Sequence, residues 1–265
     1  MLTQLLGHQL RIRLEYRGSF LFSLLLHPLV MLLTLWMFQG IYSHHRLDSL
    51  LGYSLHQMVW YFGASHFFYY LVWNMVDKNI SDRVLHGRMD QILVRPYSLL
   101  TWELAALLSE KLLSLAFELI PVWAFFTWIC PPDFMTVRGF CQYFLFTGLA
   151  VLQFFFMSFC LGLLALRSGD ASSANVLKFV VVNLFAGVSL PIVFLPAALQ
   201  QLITVLPFHY LFHTPVSYLL GTAGPQPWAA TLRTAGKQCV WIGAFLVFAR
   251  FSYTRSVRHF QSVGG

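Results

Sequence analysis

The sequence predicts an all-α polytopic membrane protein with six transmembrane helices, and three observations support this fold class. Of the 265 residues, 58% are hydrophobic and only 10% are charged, whereas soluble domains carry roughly 25% charged residues. The mean hydropathy is +0.66, and long apolar runs alternate with short polar segments. Since a helix crosses the bilayer with about 20 apolar residues, this length accommodates five or six crossings. We therefore expect residues 1–265 to form a single transmembrane domain.

The elements are predicted in order from the N-terminus. Residues 1–18 combine leucines at helical spacing with arginines beside them, which is typical of a helix lying in the membrane interface. The apolar runs that follow predict six spans, at 19–42, 53–76, 98–130, 139–166, 174–190 and 237–253. Between the last two spans, residues 191–227 contain prolines too often for one spanning helix. We expect short re-entrant or interfacial helices there, on the outer side of the membrane.

Charge places both termini in the cytoplasm. With the N-terminus inside, twelve Lys and Arg residues, Lys178 among them, face the cytoplasm, four face outward, and Lys111 lies within the third span. Cytoplasmic loops of membrane proteins carry this excess of positive charge. The net charge of +7 is thereby explained without nucleic-acid binding. Cys130 and Cys141 flank one predicted outer loop, and whether they are bridged is left open.

The most informative segment is the polar stretch of residues 77–96, within a predicted cytoplasmic loop of residues 77–97. It contains four of the 17 basic and three of the 10 acidic residues of the chain. Its apolar residues form two short helical faces, one of Ile80, Val84 and Leu85, and one, after Gly87, of Met89, Ile92 and Leu93. This pattern predicts a pair of amphipathic segments that dock on a cytosolic partner. A solvated inner loop is the alternative.

The third span contains four ionisable residues, Glu103, Glu110, Lys111 and Glu118. Charges at bilayer depth are costly and usually face protein or water. Glu103 is expected to reach water at the inner interface. Glu110 and Lys111 point about 100° apart and are not expected to pair, whereas Lys111 and Glu118 share a helical face. These residues, with Asn183 of the fifth span, either line a transport path or pair between helices, and both readings stay open.

The sequence offers no catalytic site that we can assemble. His209 and His213 form the only HxxxH pair, so metal chemistry is not favoured. There is no GxxxxGK[ST] or GxSxG motif, the patterns of P-loop nucleotide binding and of serine hydrolases. We expect no catalytic residue, cofactor or metal on this chain. An energy source would come from another chain or from an ion gradient.

Three segments carry a family resemblance. Residues 86–96, HGRMDQILVRP, resemble the G-(R/K)-hydrophobic-(D/E)-x-hydrophobic-L-x-R-P segment of ABC type-2 transporter permeases, the six-span membrane subunits of bacterial ABC exporters. Residues 191–221, with their repeated prolines, are similar to the outer helices of that family. Residues 255–265, RSVRHFQSVGG, resemble the R-x-x-x-x-(F/Y)-x-x-x-G-G ending of one subfamily. His86 departs from the pattern.

The resemblance implies a function and a set of partners. The chain would be a permease of the bacterial cytoplasmic membrane that forms a path with a second permease, identical or a homologous sister. Two ATP-binding subunits would bind ATP and Mg²⁺ and dock on a coupling helix in the 77–97 loop. The residues expected to contact them are Val84, Leu85, Arg88, Met89, Asp90 and Arg95. An intramembrane lipid-modifying enzyme and an ion-driven secondary transporter are the alternatives.

Overall fold

The computed structural model describes residues 7, 17–89, 92, 94, 96–168, 172–224 and 226–259, and among these residues every regular element is helical. The helices are α1 Arg17–His45, α2 Leu55–Leu71, α3 Val76–Leu85, α4 Leu99–Ser114, α5 Ile120–Ile129, α6 Val137–Ser168, α7 Ser172–Phe185, α8 Ala197–Val205, α9 His213–Leu219 and α10 Trp228–His259. A π turn, Leu115–Leu119, joins α4 to α5, and 3₁₀ turns occupy Ile192–Phe194 and Pro207–Tyr210. The predicted all-helical class is confirmed.

Within the described part of the chain, three helical stretches are long and apolar enough to cross a membrane. They contain the candidate spans Leu26–His45, Leu99–Ile129 and Val137–Leu166, which agree with the first, third and fourth predicted spans. The predicted sixth span lies within α10, a helix of 32 residues. α2 has 17 residues and α7 has 14, so both are short for a full crossing. A total of six spans therefore stays a prediction.

The second span ends earlier than predicted because its carbonyl groups are taken by a lysine. Ser54 begins α2 with a capping box that includes Gln57. At the other end, Lys111 Nζ donates hydrogen bonds to the carbonyl oxygens of Tyr70 at 2.8 Å and Trp73 at 2.5 Å. Such capping satisfies carbonyls that lack a partner in the next helical turn. Val76, predicted to end this span, begins α3 instead.

Helix α6 is the centre of the packing. In its most apolar stretch 78% of the residues are buried, whereas in that of α1 only 22% are buried. It contacts α10, α3 and α9, and its phenylalanines Phe146, Phe154, Phe155 and Phe159 are fully buried. An apolar helix that is buried almost all round is typical of the middle of a helical membrane bundle. α1 therefore lies at the edge, with an apolar face left for lipid or for another chain.

The prolines after α7 break the chain into the short helices that the sequence predicts. The segment holds α8, α9 and two 3₁₀ turns. Gln153 of α6 donates a hydrogen bond to the Pro207 carbonyl at 2.8 Å, which fixes this segment to the central helix. The position of these short helices on the outer side of the membrane stays a prediction. Of the predicted interfacial helix at residues 1–18, the structure describes only Gly7, Arg17 and Gly18. Arg17 and Gly18 are the first two residues of α1.

Cys130 and Cys141 are both free thiols, so the disulfide that the sequence left open is not formed. Cys130 is buried and Cys141 is exposed. The backbone carbonyl of Cys130 instead accepts a hydrogen bond from Trp60 Nε1 at 2.9 Å. Cys130 thus belongs to the packing between α2 and the end of α5.

Candidate coupling surface

Helix α3, the first half of the predicted coupling loop, packs against α6 at a glycine. Ile80 is fully buried, and it lies with Asp77 directly over Gly162. A Cβ atom added at Gly162 would lie 2.9 Å from Ile80 Cδ1 and 3.0 Å from Asp77 Cα. The absence of a side chain at Gly162 is therefore what allows the backbones of the two helices to approach so closely.

The N-terminal end of α3 is joined to α7 by a buried ion pair. Lys178 Nζ lies 2.6 Å from Asp77 Oδ1, and the two side chains are 0% and 1% exposed. The ammonium group also donates to the Asn74 carbonyl at 3.2 Å and lies 5.1 Å from the ring centroid of Trp73. The count of cytoplasm-facing charges was therefore wrong to include Lys178, because its charge is neutralised inside the protein.

The C-terminal end of α3 is joined to α4 by a second ion pair, between Arg83 Nη1 and Glu103 Oε1. Glu103 is 1% exposed, so the expectation that it reaches water was wrong. Burial, and secondarily the positive charge of Arg88, lower the pKa of Arg83 below its ordinary value. The guanidinium group still carries its charge, since the unperturbed arginine pKa exceeds 12. Both ends of α3 are thus fixed to other helices by charge.

The residues predicted to contact a partner divide into a buried and an exposed set. Val84 and Met89 are buried in the apolar cluster formed by α3, α4, α6 and α10. In this structure they therefore pack the loop against the helix bundle and are not accessible to a partner. The sequence predicted one helical face of Ile80, Val84 and Leu85. In the structure Leu85 is 52% exposed and lies off the buried face of Ile80 and Val84, so this part of the prediction was wrong. Arg88 is also exposed.

Gly87 shapes the exposed tip of the loop. Its φ of 62° lies in the left-handed region that glycine adopts without strain, and it follows directly on the end of α3. The interruption predicted at this glycine is confirmed. Asp90 and Arg95, the other two predicted contact residues, lie outside the described residues. Leu85, His86, Gly87 and Arg88 are the exposed residues at this end of α3, and we call them the α3 tip.

The polar residues predicted for a path or for helix pairing are not gathered in one place. Lys111 caps α2, and its ammonium lies 3.4 Å from Glu110 Oε1, so the expectation that these neighbours cannot pair was wrong. The π turn contains Glu118 and interrupts the regular spacing that would place Glu118 on the face of Lys111. Asn183 donates to the Phe179 carbonyl at 2.9 Å and accepts from Tyr69. Asn183 therefore ties α7 to α2.

Sequence reasoning missed both buried ion pairs. Each joins residues far apart in the chain, at positions 77 and 178 and at positions 83 and 103. One signal was present, because Lys178 is a single lysine within an apolar run, and such a residue is expected to have a buried partner. The identity of the partner depends on how α3 folds back on α6, which no local pattern shows.

A larger residue at Gly162 should separate α3 from α6. We expect Gly162→Leu to lower the free energy of unfolding by about 1–3 kcal/mol, because overpacking forces the backbone to shift. Gly148→Leu is the matched control on the same helix, since a Cβ there meets nothing within 4 Å. Unfolding of the purified variants in detergent would measure the difference. Equal stability of the two variants would contradict the close approach at Gly162.

The arrangement defines a class of protein: a helical membrane protein whose polar connecting helix is fixed to the bundle and presents a small exposed tip. A profile of the family described as ABC-2 family transporter protein matches residues 28–264. The chain therefore belongs to this family, and it is a membrane permease component of ABC transporters, which associate with ATP-binding subunits. No curated protein matches the chain significantly. The family match does not favour the lipid-modifying enzyme or the ion-driven transporter.

Proposed function

We propose that this chain is the permease of an ATP-driven exporter of the bacterial cytoplasmic membrane, and that the α3 tip receives the movement of a separate ATP-binding subunit. The observation that carries the proposal is the fixation of α3 at both ends. A helix that is pushed at an exposed tip transmits the push only if it cannot slide over its neighbours. The pairs Asp77–Lys178 and Arg83–Glu103 resist such sliding, because separating either pair leaves a buried charge.

The two ion pairs join α3 to different helices. A single movement of α3 would therefore be transmitted to both of those helices. Asp77 connects the start of α3 to α7, and Arg83 connects its end to α4. Tilting α3 would therefore move α7 and α4 relative to α6, on which α3 rests. In this mechanism ATP binding closes the ATP-binding subunits, α3 tilts, and the spans move from one access state to the other.

A cavity beside α3 supports an aromatic path. It has a volume of about 400 Å³ and lies between the end of α2, α3 and α7. Its lining includes Trp73 and Phe179, whose ring centroids are 5.8 Å apart, together with Lys78 and Asp82. Trp73 belongs to the predicted second span and Phe179 to the predicted fifth span. Aromatic walls with an acidic residue suit an apolar or a cationic aromatic substrate.

A second permease is proposed to complete the path. Helices α1 and α7 expose large apolar residues, including Leu29, Leu33 and Trp36 on α1 and Val176 and Leu177 on α7. Lipid covers such faces in a monomer, whereas in a transporter with two permeases one of them would face the partner. The partner is either a second copy of this chain or a homologous sister.

Site-specific photo-crosslinking tests the proposed contact. A photoreactive phenylalanine analogue would replace Leu85 at the α3 tip, and in a separate variant Leu51, which is 56% exposed in the loop after α1. Membranes of the source organism would be irradiated, and the crosslinked chains identified by mass spectrometry. We expect an ATP-binding chain to be captured from position 85 and not from position 51. Capture from position 51, or no capture from position 85, would overturn the proposal.

A further inference from the structure

A cavity between α6 and α10 lies apart from the coupling surface and shares no lining residue with α3. It has a volume of about 160 Å³. From α6 it is lined by two leucines and a cysteine, and from α10 by aromatic, hydroxyl and basic side chains. These residues are Cys160, Leu163, Leu164, Phe248, Phe251, Ser252, Arg255 and Ser256. The cavity thus combines apolar surface with hydrogen-bond donors and one cation.

The cavity-lining residues of α10 form a stripe that changes from apolar to polar along the helix. Positions 248, 251, 252, 255 and 256 follow the spacing of one helical face. The two phenylalanines lie within the predicted sixth span of residues 237–253, whereas Arg255 and Ser256 lie beyond its end. The apolar end of the cavity is therefore inside the predicted span, and its polar end is at the boundary with water.

The Arg255 guanidinium is held at this boundary and carries an unneutralised charge. Its central carbon lies 4.7 Å from the ring centroid of Phe251, one helical turn earlier. Stacking on an aromatic face leaves the N–H groups at the edge of the guanidinium plane free to donate. Among the described residues, none that lines the cavity is acidic, and none of the ion pairs includes Arg255. The charge is therefore available to an anion.

The size and chemistry of the cavity select the head of an anionic amphiphile. A guanidinium donates parallel hydrogen bonds to a phosphate group, and the adjacent serine hydroxyls are further donors. A cavity of about 150 Å³ accepts a molecule the size of benzene, so this one holds a phosphate group and not a whole lipid. The chains of a lipid would lie outside, along Leu164 and Phe248, which are 46% and 56% exposed.

We propose that an anionic phospholipid binds between α6 and α10. Its phosphate group contacts Arg255, Ser252 and Ser256, and an acyl chain lies along the exposed apolar residues. Basic pockets between membrane helices on the cytoplasmic side bind anionic head groups, and this is the side on which the end of α10 is predicted to lie. Because the lipid contacts both helices, its binding stabilises the attachment of α10 to the central helix. The site lies on this chain alone and requires no ATP-binding partner.

Native mass spectrometry of the full-length chain, stripped of lipid in detergent, tests the site. The chain would be titrated with phosphatidylglycerol, which is anionic, and with phosphatidylcholine, which has no net charge. We expect phosphatidylglycerol to bind at least about tenfold more tightly. Arg255→Gln should weaken its binding about tenfold, as expected for loss of a charge-assisted hydrogen bond, and leave phosphatidylcholine unaffected. Ser252→Phe, which fills the cavity and keeps the charge, should weaken phosphatidylglycerol binding as well.

Arg250→Gln is the matched control, because Arg250 is an exposed arginine of the same helix that does not line the cavity. It should bind phosphatidylglycerol as the wild type does. Equal losses in the two arginine variants would indicate attraction by net charge alone and would overturn the proposal, as would undiminished binding in Ser252→Phe. Displacement of the lipid by an equal concentration of inorganic phosphate would also overturn it, since the site would then recognise the anion without its chains.

The arginine comparison keeps the test decisive. Arg250 and Arg255 are both exposed, so their substitution costs little stability. If Ser252→Phe does not fold, the difference between the two arginine variants decides alone. None of these measurements involves an ATP-binding chain, so failure of the lipid site and failure of the docking proposal are distinguishable.

Discussion

Replacing Lys178 with methionine should lower the free energy of unfolding by about 3–5 kcal/mol, because it leaves the Asp77 carboxylate buried without a partner. The pair is buried on both sides, with side chains 0% and 1% exposed. Asp77 Oδ2 already has no hydrogen-bond partner among the described residues, so neither oxygen would be satisfied in the variant. Asp77→Leu should have a similar effect, because it leaves the ammonium group buried instead. Unfolding in detergent, followed by circular dichroism, would measure both losses.

The double variant Asp77→Leu with Lys178→Met distinguishes a broken pair from a damaged core. Replacing a buried ion pair by apolar residues of similar size is often neutral or stabilising, so we expect the double variant to regain most of the stability. The double-mutant cycle then gives the coupling energy. Lys78→Met is the control, because Lys78 is the exposed neighbour of Asp77 on α3. Two additive single losses, with no recovery in the double variant, would contradict the pairing.

The double variant also separates stability from coupling. With apolar residues at both positions, α3 and α7 remain packed, but the directional charge contact between them is lost. If the pair transmits movement, ATP hydrolysis by the assembled complex should continue while transport falls. This result would assign the pair to the coupling mechanism rather than to folding alone.

The parts of the fold that depend on composition were predictable. The third and fourth spans were predicted within two residues at each end, since hydropathy over about 20 residues is a strong signal. The fifth span was predicted to reach residue 190, but α7 ends at Phe185. Gly187 then takes a φ of 80°, and its carbonyl accepts a hydrogen bond from the Tyr61 hydroxyl. This turn depends on a tyrosine 126 residues away in the chain, which hydropathy does not include.

The candidate site shows the same division between local and tertiary signals. A helix followed by a break at Gly87 was predictable from helical spacing and from glycine. Which side of that helix is buried was not predictable, because Val84 and Leu85 are adjacent apolar residues and only the position of α6 decides which of them is buried. The charges of α3 were interpreted as a surface for a partner, yet Asp77 and Arg83 contact other helices of the same chain. In a membrane protein, charge near a span can serve internal pairing as well as docking.

Reversing the chemistry of the α3 tip should remove the ATP-binding subunit while the permease stays folded. We expect Leu85→Asp with Arg88→Glu to reduce the co-purified subunit at least about tenfold, equivalent to about 1.4 kcal/mol of binding free energy. Leu85 and Arg88 are exposed, so surface substitution there costs little stability. The measurement is the ratio of ATP-binding chain to tagged permease after purification in mild detergent.

The loop after α1 supplies a control with the same two changes. Leu51 and Arg46 are also an exposed leucine and an exposed arginine, and both have positive φ angles, of 49° and 50°. Both positions already hold residues other than glycine at these angles, and aspartate is among the residues most often found there. Leu51→Asp with Arg46→Glu therefore alters charge and polarity to the same extent on the opposite predicted side. This variant should retain the ATP-binding subunit at the wild-type ratio. If it loses the subunit as well, or if the variant at the α3 tip retains it, then α3 is not the docking helix and the predicted orientation of the chain is reversed or incomplete.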